Sequence, residues 1–529
     1  MVQTVDHVAL LPAYLAAGTA LLAFLVDLAV GRRGAVLAAT ALGAAATAVA
    51  AAVVGSGADR ATFCVPGTSA CSYVADDTGA LVAVLFATLT LAVLALSVPA
   101  TRAAAVPPGE YAFLLACSMT GGVVLGYSRD LVSLIVAMET LTLPLYVLVG
   151  LRRRIAASAE GAVTFFVVSV VATAVTLLGA ALLYAVTGAV HFEALRTALA
   201  EQAQLRDIPL AAAAVVLVLV GLAFKVAAVP FHAWAPTAYD GAPLPVAAYL
   251  STASKLGGVV AILYVAVVAL RPWLDVAGPA LATFAVLTMT VGNLVALRQR
   301  RMVRLLAWSS VAQAGYILAP LGAFAVASGR TDEAVALAVA ATVAYAVFYV
   351  LLELGAFGAV VALRRGDADG GEIEDYRGAA RRHPWVGAAL VLALVGLAGL
   401  PPGLAGLFAK VAIVRSLLGG GAGWLAVIVA LNAVVGLAYY VRVAGVLFAG
   451  PAPAPVSAPA PVSAPVTASA LAPVSAPAPA PASVPASIGS AGRVAWPVAA
   501  ALAAVTLAAL VVGFAPQLVL DAAALALSR

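Results

Sequence analysis

From Val8 to Phe514 the sequence is a succession of apolar runs, most of them about the 20 residues that a helix needs to cross a bilayer. Lipid offers the backbone no hydrogen-bond partners, so runs of this kind must close their own N–H and C=O groups as helices. Fourteen helices are predicted, near 8–30, 35–55, 78–99, 109–127, 131–150, 157–187, 208–235, 243–269, 278–297, 303–325, 333–363, 385–416, 423–448 and 493–516. Joints as short as Ser128-Arg129-Asp130 leave room only for an up-and-down bundle. The first run has no basic stretch before it and no small-residue cleavage site after it, so it reads as a retained helix. The expected fold is an all-α polytopic membrane protein.

Composition closes the alternatives. Of the 529 residues 64% are apolar and 10% charged, and no polar stretch is long enough to coat a soluble domain. The 28 basic and 23 acidic residues are too evenly dispersed for a nucleic-acid surface.

Arginine sets the expected orientation, because cytoplasmic loops carry the excess of basic residues. Alternate connections hold Arg32 and Arg33, Arg102, Arg152-Arg153-Arg154, Arg298 to Arg304, Arg364 to Arg382, then Arg442 and Arg493. The opposite connections hold single arginines such as Arg60, Arg129 and Arg206. Both termini are therefore expected on the outer side of the cell membrane. Cys64 and Cys71 share an outer polar loop, where oxidising conditions can join them, with two free thiols as the alternative. Residues 451–487, rich in Pro, Ala and Ser, read as a cytoplasmic tether without chemistry.

Two spans carry proline at mid-depth: one around Pro230, the other in Gly399-Leu400-Pro401-Pro402-Gly403. Proline lacks the N–H and clashes one turn back, so both helices should break. Each break falls in the fourth span of a five-span set, helices 4–8 and 9–13. An odd number of helices forces two such sets into opposite orientations, the pattern of inverted-repeat transporters. The chain divides accordingly into a three-helix segment (1–108), a first repeat (109–270), a second repeat (278–448), a linker (449–492) and a last helix (493–529).

A charged residue at a helix centre costs about 2.5–3.5 kcal/mol on insertion scales, so each one needs a reason. Only three residues are lysine, Lys225, Lys255 and Lys410, and all fall inside apolar runs while arginine keeps to the rims. A buried amine can give up its proton near neutral pH, whereas a guanidinium stays charged. That distribution points to proton exchange; static ion pairs between helices are the structural alternative. Glu139 lies near the middle of its span, Lys225 five residues before Pro230, and His232 two residues after it. Lys255 follows Ser251 and Ser254 at helical spacing, which offers it hydroxyl partners. Lys410 lies beyond the second break, and Glu353 reads as a packed, protonated carboxyl. No CxxC pair, iron–sulfur cysteine cluster or phosphate loop is visible, so any redox step belongs to partners.

The strings METLTLPLYVLVGLRRR, FKVAAVPFHAWAPTAYDGAPLPVAAYLSTASKLGG, GNLVALRQRRMVRLLAWSSVAQAGY, ELGAFGAVVAL, LAGLPPGLAGLFAK and LAYYVRV resemble the subunit N family of bacterial NADH-quinone oxidoreductase, the respiratory complex I. The likeness spans residues 110–450. It implies an antiporter-like subunit of the membrane arm that translocates protons, driven by quinone reduction elsewhere. NADH, FMN, quinone and iron–sulfur clusters would be bound by partner subunits, and the other membrane-arm subunits would be its neighbours. By position, Glu139 matches the family's fifth-helix glutamate, Lys225 its broken-helix lysine, Lys255 its eighth-helix lysine and Lys410 its twelfth-helix lysine. One departure stands out. The family usually has a sixth-helix lysine four residues after a glutamate; here Glu160 is followed by Thr164. Either Lys225 or ordered water replaces it as partner of Glu139, or this copy pumps poorly. A multisubunit cation/proton antiporter shares the fold and is the alternative, as is a structural subunit with an inactive path. The chain runs 13 residues past its last predicted span, too few for the long lateral helix of the larger antiporter-like subunits, which favours subunit N.

Overall fold

The computed structural model of the chain describes residues 5–68, 70–152, 155–364, 366, 368–450 and 494–520. The tether, both chain ends and Arg153, Arg154, Arg365 and Arg493 lie outside the described residues.

Three helices open the fold, α1 (Leu11–Val30), α2 (Arg33–Gly55) and α3 (Asp77–Arg102). Between α2 and α3, where a polar loop is expected, the chain makes an antiparallel hairpin of β1 (Arg60–Cys64) and β2 (Cys71–Ala75). Its register sets Cys64 opposite Cys71, and the two are joined as a disulfide. The next pair, α4 (Pro108–Tyr127) and α5 (Leu131–Val149), is linked by the three-residue joint. Asp130 makes so short a joint workable: its carboxylate accepts the Val132 and Ser133 N–H groups, both at 2.8 Å, and so caps α5.

The long α6 (Ala156–Thr187) leads to α7 (Phe192–Glu201), a short helix in a segment expected to be loop. Phe192, Leu195 and Leu199 form its buried stripe. The chain continues through α8 (Pro209–Lys225), α9 (Trp234–Gly241), α10 (Leu244–Tyr249), α11 (Lys255–Leu263), α12 (Leu274–Ala296), α13 (Met302–Leu318) and α14 (Asp332–Leu363). After the four-residue α15 (Ala379–Arg382) come α16 (Pro384–Ala398), α17 (Leu404–Gly419), α18 (Gly423–Phe448) and α19 (Trp496–Phe514).

Among the described residues eleven helical segments are long and apolar enough to cross a membrane; α10 and α11 count as one such segment, Leu244–Ala269. Three other expected spans are not single long helices. Two are broken, α8 from α9 and α16 from α17. In the third, α13 tightens after Leu318 into a 3₁₀ run, Ala319–Ala325, at Pro320, which has no N–H for an α-helical bond.

Leu244–Ala269 is the core element, with 89% of its apolar window buried against 22% for α1. Helix α14 packs on α10, α16, α17 and α19, and α13 lies along α12. The polar residues described next sit around these central helices.

Candidate functional site

The first break follows Lys225. From Val226 to Ala233 the chain is not helical, Ala227 adopts a left-handed φ of 58°, and Pro230 supplies no donor. Two side chains satisfy the freed backbone: Thr288 Oγ1 on α12 accepts the Val229 N–H at 2.9 Å, and Trp234 Nε1 donates to the Phe224 carbonyl at 3.2 Å.

Lys225 ends α8 almost fully buried and donates to Glu139 Oε1 at 2.7 Å, to Thr142 Oγ1 at 3.2 Å and to Ser169 Oγ at 3.4 Å. Thr173 of α6 donates to the same Glu139 oxygen at 2.7 Å. The glutamate retains 22% side-chain exposure while Lys225 retains 4%, so the acid is the outward member of the pair. The partner of Glu139 is thus Lys225 on α8, with a threonine as the contribution of α6. Thr164 lies nine residues before Thr173, a rise of about 13.5 Å along the helix, and Glu160 is exposed near the start of α6.

Lys255 follows a π-helical turn, Leu250–Ser254, between α10 and α11. Such turns recur at functional positions because the extra residue opens the backbone ladder. The Ser251 and Ser254 partners expected from spacing are not the ones observed. Ser251 Oγ turns back to the Ala248 carbonyl at 2.9 Å, and the buried ammonium donates to the Ser310 carbonyl oxygen of α13. It also lies 5.8 Å above the Tyr349 ring. The Tyr349 hydroxyl donates to the Ser251 carbonyl at 2.7 Å and is bonded to Ser310 Oγ at 2.6 Å.

The second break begins at Gly399, left-handed at φ 82°. Lys410, on the far limb α17, folds back across the break and donates to the Ala398 carbonyl at 2.6 Å and the Leu397 carbonyl at 3.1 Å, two acceptors at the C-terminal end of α16. Lysine suits this place because the end of a helix carries partial negative charge. A Cβ on residue 399 would stand 2.7 Å from Lys410 Cδ, so any larger residue would push the lysine off the carbonyls it now bonds, and the left-handed φ independently favours glycine.

Gln313 of α13 also donates to the Leu397 carbonyl, at 3.1 Å, and to Tyr440 Oη at 3.0 Å, while its Oε1 accepts from Tyr345 at 2.6 Å. Ser310 and Gln313 are one helical turn apart, so α13 carries hydrogen-bonding groups from the Lys255 end of the site to the Lys410 end. Sequence reasoning missed Gln313, Tyr345, Tyr349 and Tyr440; a stripe of Ser309, Ser310 and Gln313 inside an apolar run was the available signal.

His232 stands apart from this line. Its ring faces Trp308 at 5.1 Å, and among the described residues its buried Nδ1 has no hydrogen-bond partner. Glu353, on α14, is wholly buried.

At the rim, Arg301 donates to Asp240 in the last turn of α9 at 3.0 Å and to Asp369 at 2.9 Å, and Arg364 pairs with Asp369 and Asp375. Burial by itself would push Asp369 up, but the hydrogen bond from Arg301 and the charges of Arg301 and Arg364 outweigh it and hold the carboxyl below its ordinary value. Among the described residues no group of three His, Cys, Asp or Glu side chains is placed to hold a metal ion.

Two broken apolar helices, each with a lysine ammonium held at or beside its break, and a third lysine between them define a polytopic, antiporter-like membrane protein. The chain belongs to the NADH:quinone oxidoreductase/Mrp antiporter family, whose transmembrane family model matches residues 128–436. It is 66% identical to NADH-quinone oxidoreductase subunit N of Salinispora tropica over 99% of both chains. Among solved structures it is similar to a chain of respiratory complex I from Thermus thermophilus, with a TM-score of 0.73 and 26% identity over 97% of this chain and 99% of that one. A chain of the Mrp complex from Dietzia matches with a TM-score of 0.77 over 98% and 97% of the two chains; at 24% identity this shows a shared fold alone.

Proposed function

We propose that this chain is a proton-translocating membrane-arm subunit of an NADH:quinone oxidoreductase. Protons pass among Glu139, Lys225, Lys255 and Lys410, with the hydroxyl and amide groups of α13 and internal water between them. His232 serves as a side station near the first break, and Pro230, Pro401 and Pro402 keep the two breaks open. The observation that carries this reading is that two amines, Lys225 and Lys255, lie buried among apolar helices, that Lys225 meets a carboxylate at 2.7 Å, and that a third, the half-buried Lys410, is held at the second break. A pair of this kind can be made or broken by moving one proton, and each change of state alters the field at the next amine.

The remaining assignments belong to the same reading. Residues 109–270 and 278–448 are two inverted five-helix repeats in a bundle of fourteen spans, preceded by residues 1–108. Residues 449–492 link the second repeat to the last span, within 493–529. The chain resides in a bacterial cell membrane with both termini outside, among other membrane-arm subunits. Redox energy arrives from partner subunits that bind NADH, FMN, iron–sulfur clusters and quinone. The test is proton transport by the assembled complex in sealed vesicles. Lys225→Ala and Lys255→Ala should lower protons moved per electron pair, and undiminished transport by both would favour a structural subunit. Dependence of transport on a sodium gradient, without NADH, would favour the antiporter alternative.

A further inference from the structure

We propose that Glu353 is the proton-exchanging partner of Lys255, so that the chain holds a second buried acid–base couple besides Glu139–Lys225. This rests on the proton-transfer reading above and adds to it a carboxylate that the reading does not use.

Glu353 is fully buried in α14, and among the described residues neither carboxyl oxygen has a hydrogen-bond partner. A carboxyl serving only as glue would be paired directly, because an isolated buried charge is too costly to keep and a neutral acid still has a proton to donate. Its surroundings supply what exchange requires. Tyr349 lies one turn earlier on the same helix, bonded to Ser310 Oγ, and the Lys255 ammonium donates to the Ser310 carbonyl. The Lys255 ammonium lies 5.8 Å from the centre of the Tyr349 ring, one helical turn before Glu353 on α14. The Tyr239 hydroxyl, also buried and without a hydrogen-bond partner among the described residues, comes from α9, the far limb of the first broken helix. Its ring meets Phe357, one turn beyond Glu353, edge-on at 6.4 Å. Unpartnered oxygens from α9 and α14, on the same stretch of α14 that the Lys255 ammonium faces through Tyr349, are the kind of partners an internal water needs, two to four in number.

The step is a single proton transfer. It leaves the Lys255 ammonium, crosses that water or the Tyr349 and Ser310 hydroxyls, and arrives on the Glu353 carboxylate. Both groups are then neutral, and the return transfer restores both charges. The couple stores no net charge in the apolar core in either state, whereas its internal dipole changes.

The experiment uses the complete complex, purified and sealed into vesicles, with electron flow and proton movement read together. Glu353→Gln keeps the size of the side chain and removes exchange. Glu353→Met removes polarity as well, and since the carboxyl has no partner to lose, at least one variant should assemble. Both are expected to lose protons per electron pair to the same extent as Lys255→Met. Infrared difference spectra of the unaltered complex should show a buried carboxyl C=O band that changes on turnover and is missing from Glu353→Gln. Wild-type stoichiometry in the Glu353 variants with a deficit in Lys255→Met overturns the proposal and leaves the broader reading standing. Wild-type stoichiometry in all three overturns both.

Discussion

Lys410 and Gln313 share one acceptor, each donating to the Leu397 carbonyl oxygen at 3.1 Å. The carbonyl is free because Pro401 and Pro402 interrupt the helix that would otherwise use that region of backbone. A cation and an amide therefore meet at the break, and the amide leaves the carbonyl one donor if the lysine is replaced.

Gln313→Leu should remove that support. It leaves the Tyr345 hydroxyl without its acceptor in a buried place, at a cost of about 1–3 kcal/mol. We expect a lower thermal midpoint for the assembled complex and slower proton movement. Gln313→Glu, which keeps the acceptor for Tyr345, should recover the midpoint better than Leu.

Breaking the Glu139–Lys225 pair on one side should cost more than removing both charges. Lys225→Met leaves the Glu139 carboxylate without its counter-charge and with only threonine hydroxyls as partners, at about 3 kcal/mol, the low end for buried pairs because the glutamate retains some exposure. The double variant Glu139→Gln with Lys225→Met should regain much of that stability and none of the transport. Denaturation midpoints and vesicle assays separate the two quantities.

Thr164→Lys tests the family difference on the sixth helix. Position 164 is about 13.5 Å along α6 from the threonine that touches Glu139, so the new amine cannot replace Lys225. Transport stoichiometry should match the unaltered chain, and a clear gain would show that a lysine there acts by another route.

The rim network should weaken in acid. The Asp369 carboxyl is held below its ordinary value, so its contribution is present above the unfolded-state pKa and is lost as pH falls through the folded value. Asp369→Asn should flatten the dependence of stability on pH in that acidic window. Unfolding curves at several pH values read the change directly.

The hairpin disulfide gives a labelling prediction tied to topology. In intact cells Cys64 and Cys71 should resist a membrane-impermeant maleimide until an impermeant reductant is added, and then react. Labelling without reduction would contradict the disulfide, and none after reduction would contradict the outward placement.

The order and approximate place of the helices were legible in the sequence, because lipid permits only one solution for a long apolar run. Both breaks were legible for an equally local reason: a proline cannot donate, whatever surrounds it. The three lysines could be singled out by their cost alone. Their partners could not be read in advance, since Glu139 meets Lys225 across 86 positions, and Lys255 takes a carbonyl from α13 in place of the serines on its own helix. Such choices depend on which helix faces become neighbours and on a π turn that rotates one of them. Periodicity says which face is apolar but not which other apolar face it meets. The tertiary packing decided that, and it set Glu353 one helical turn from the Tyr349 ring that Lys255 faces, with no hydrogen-bond partner for either carboxyl oxygen among the described residues.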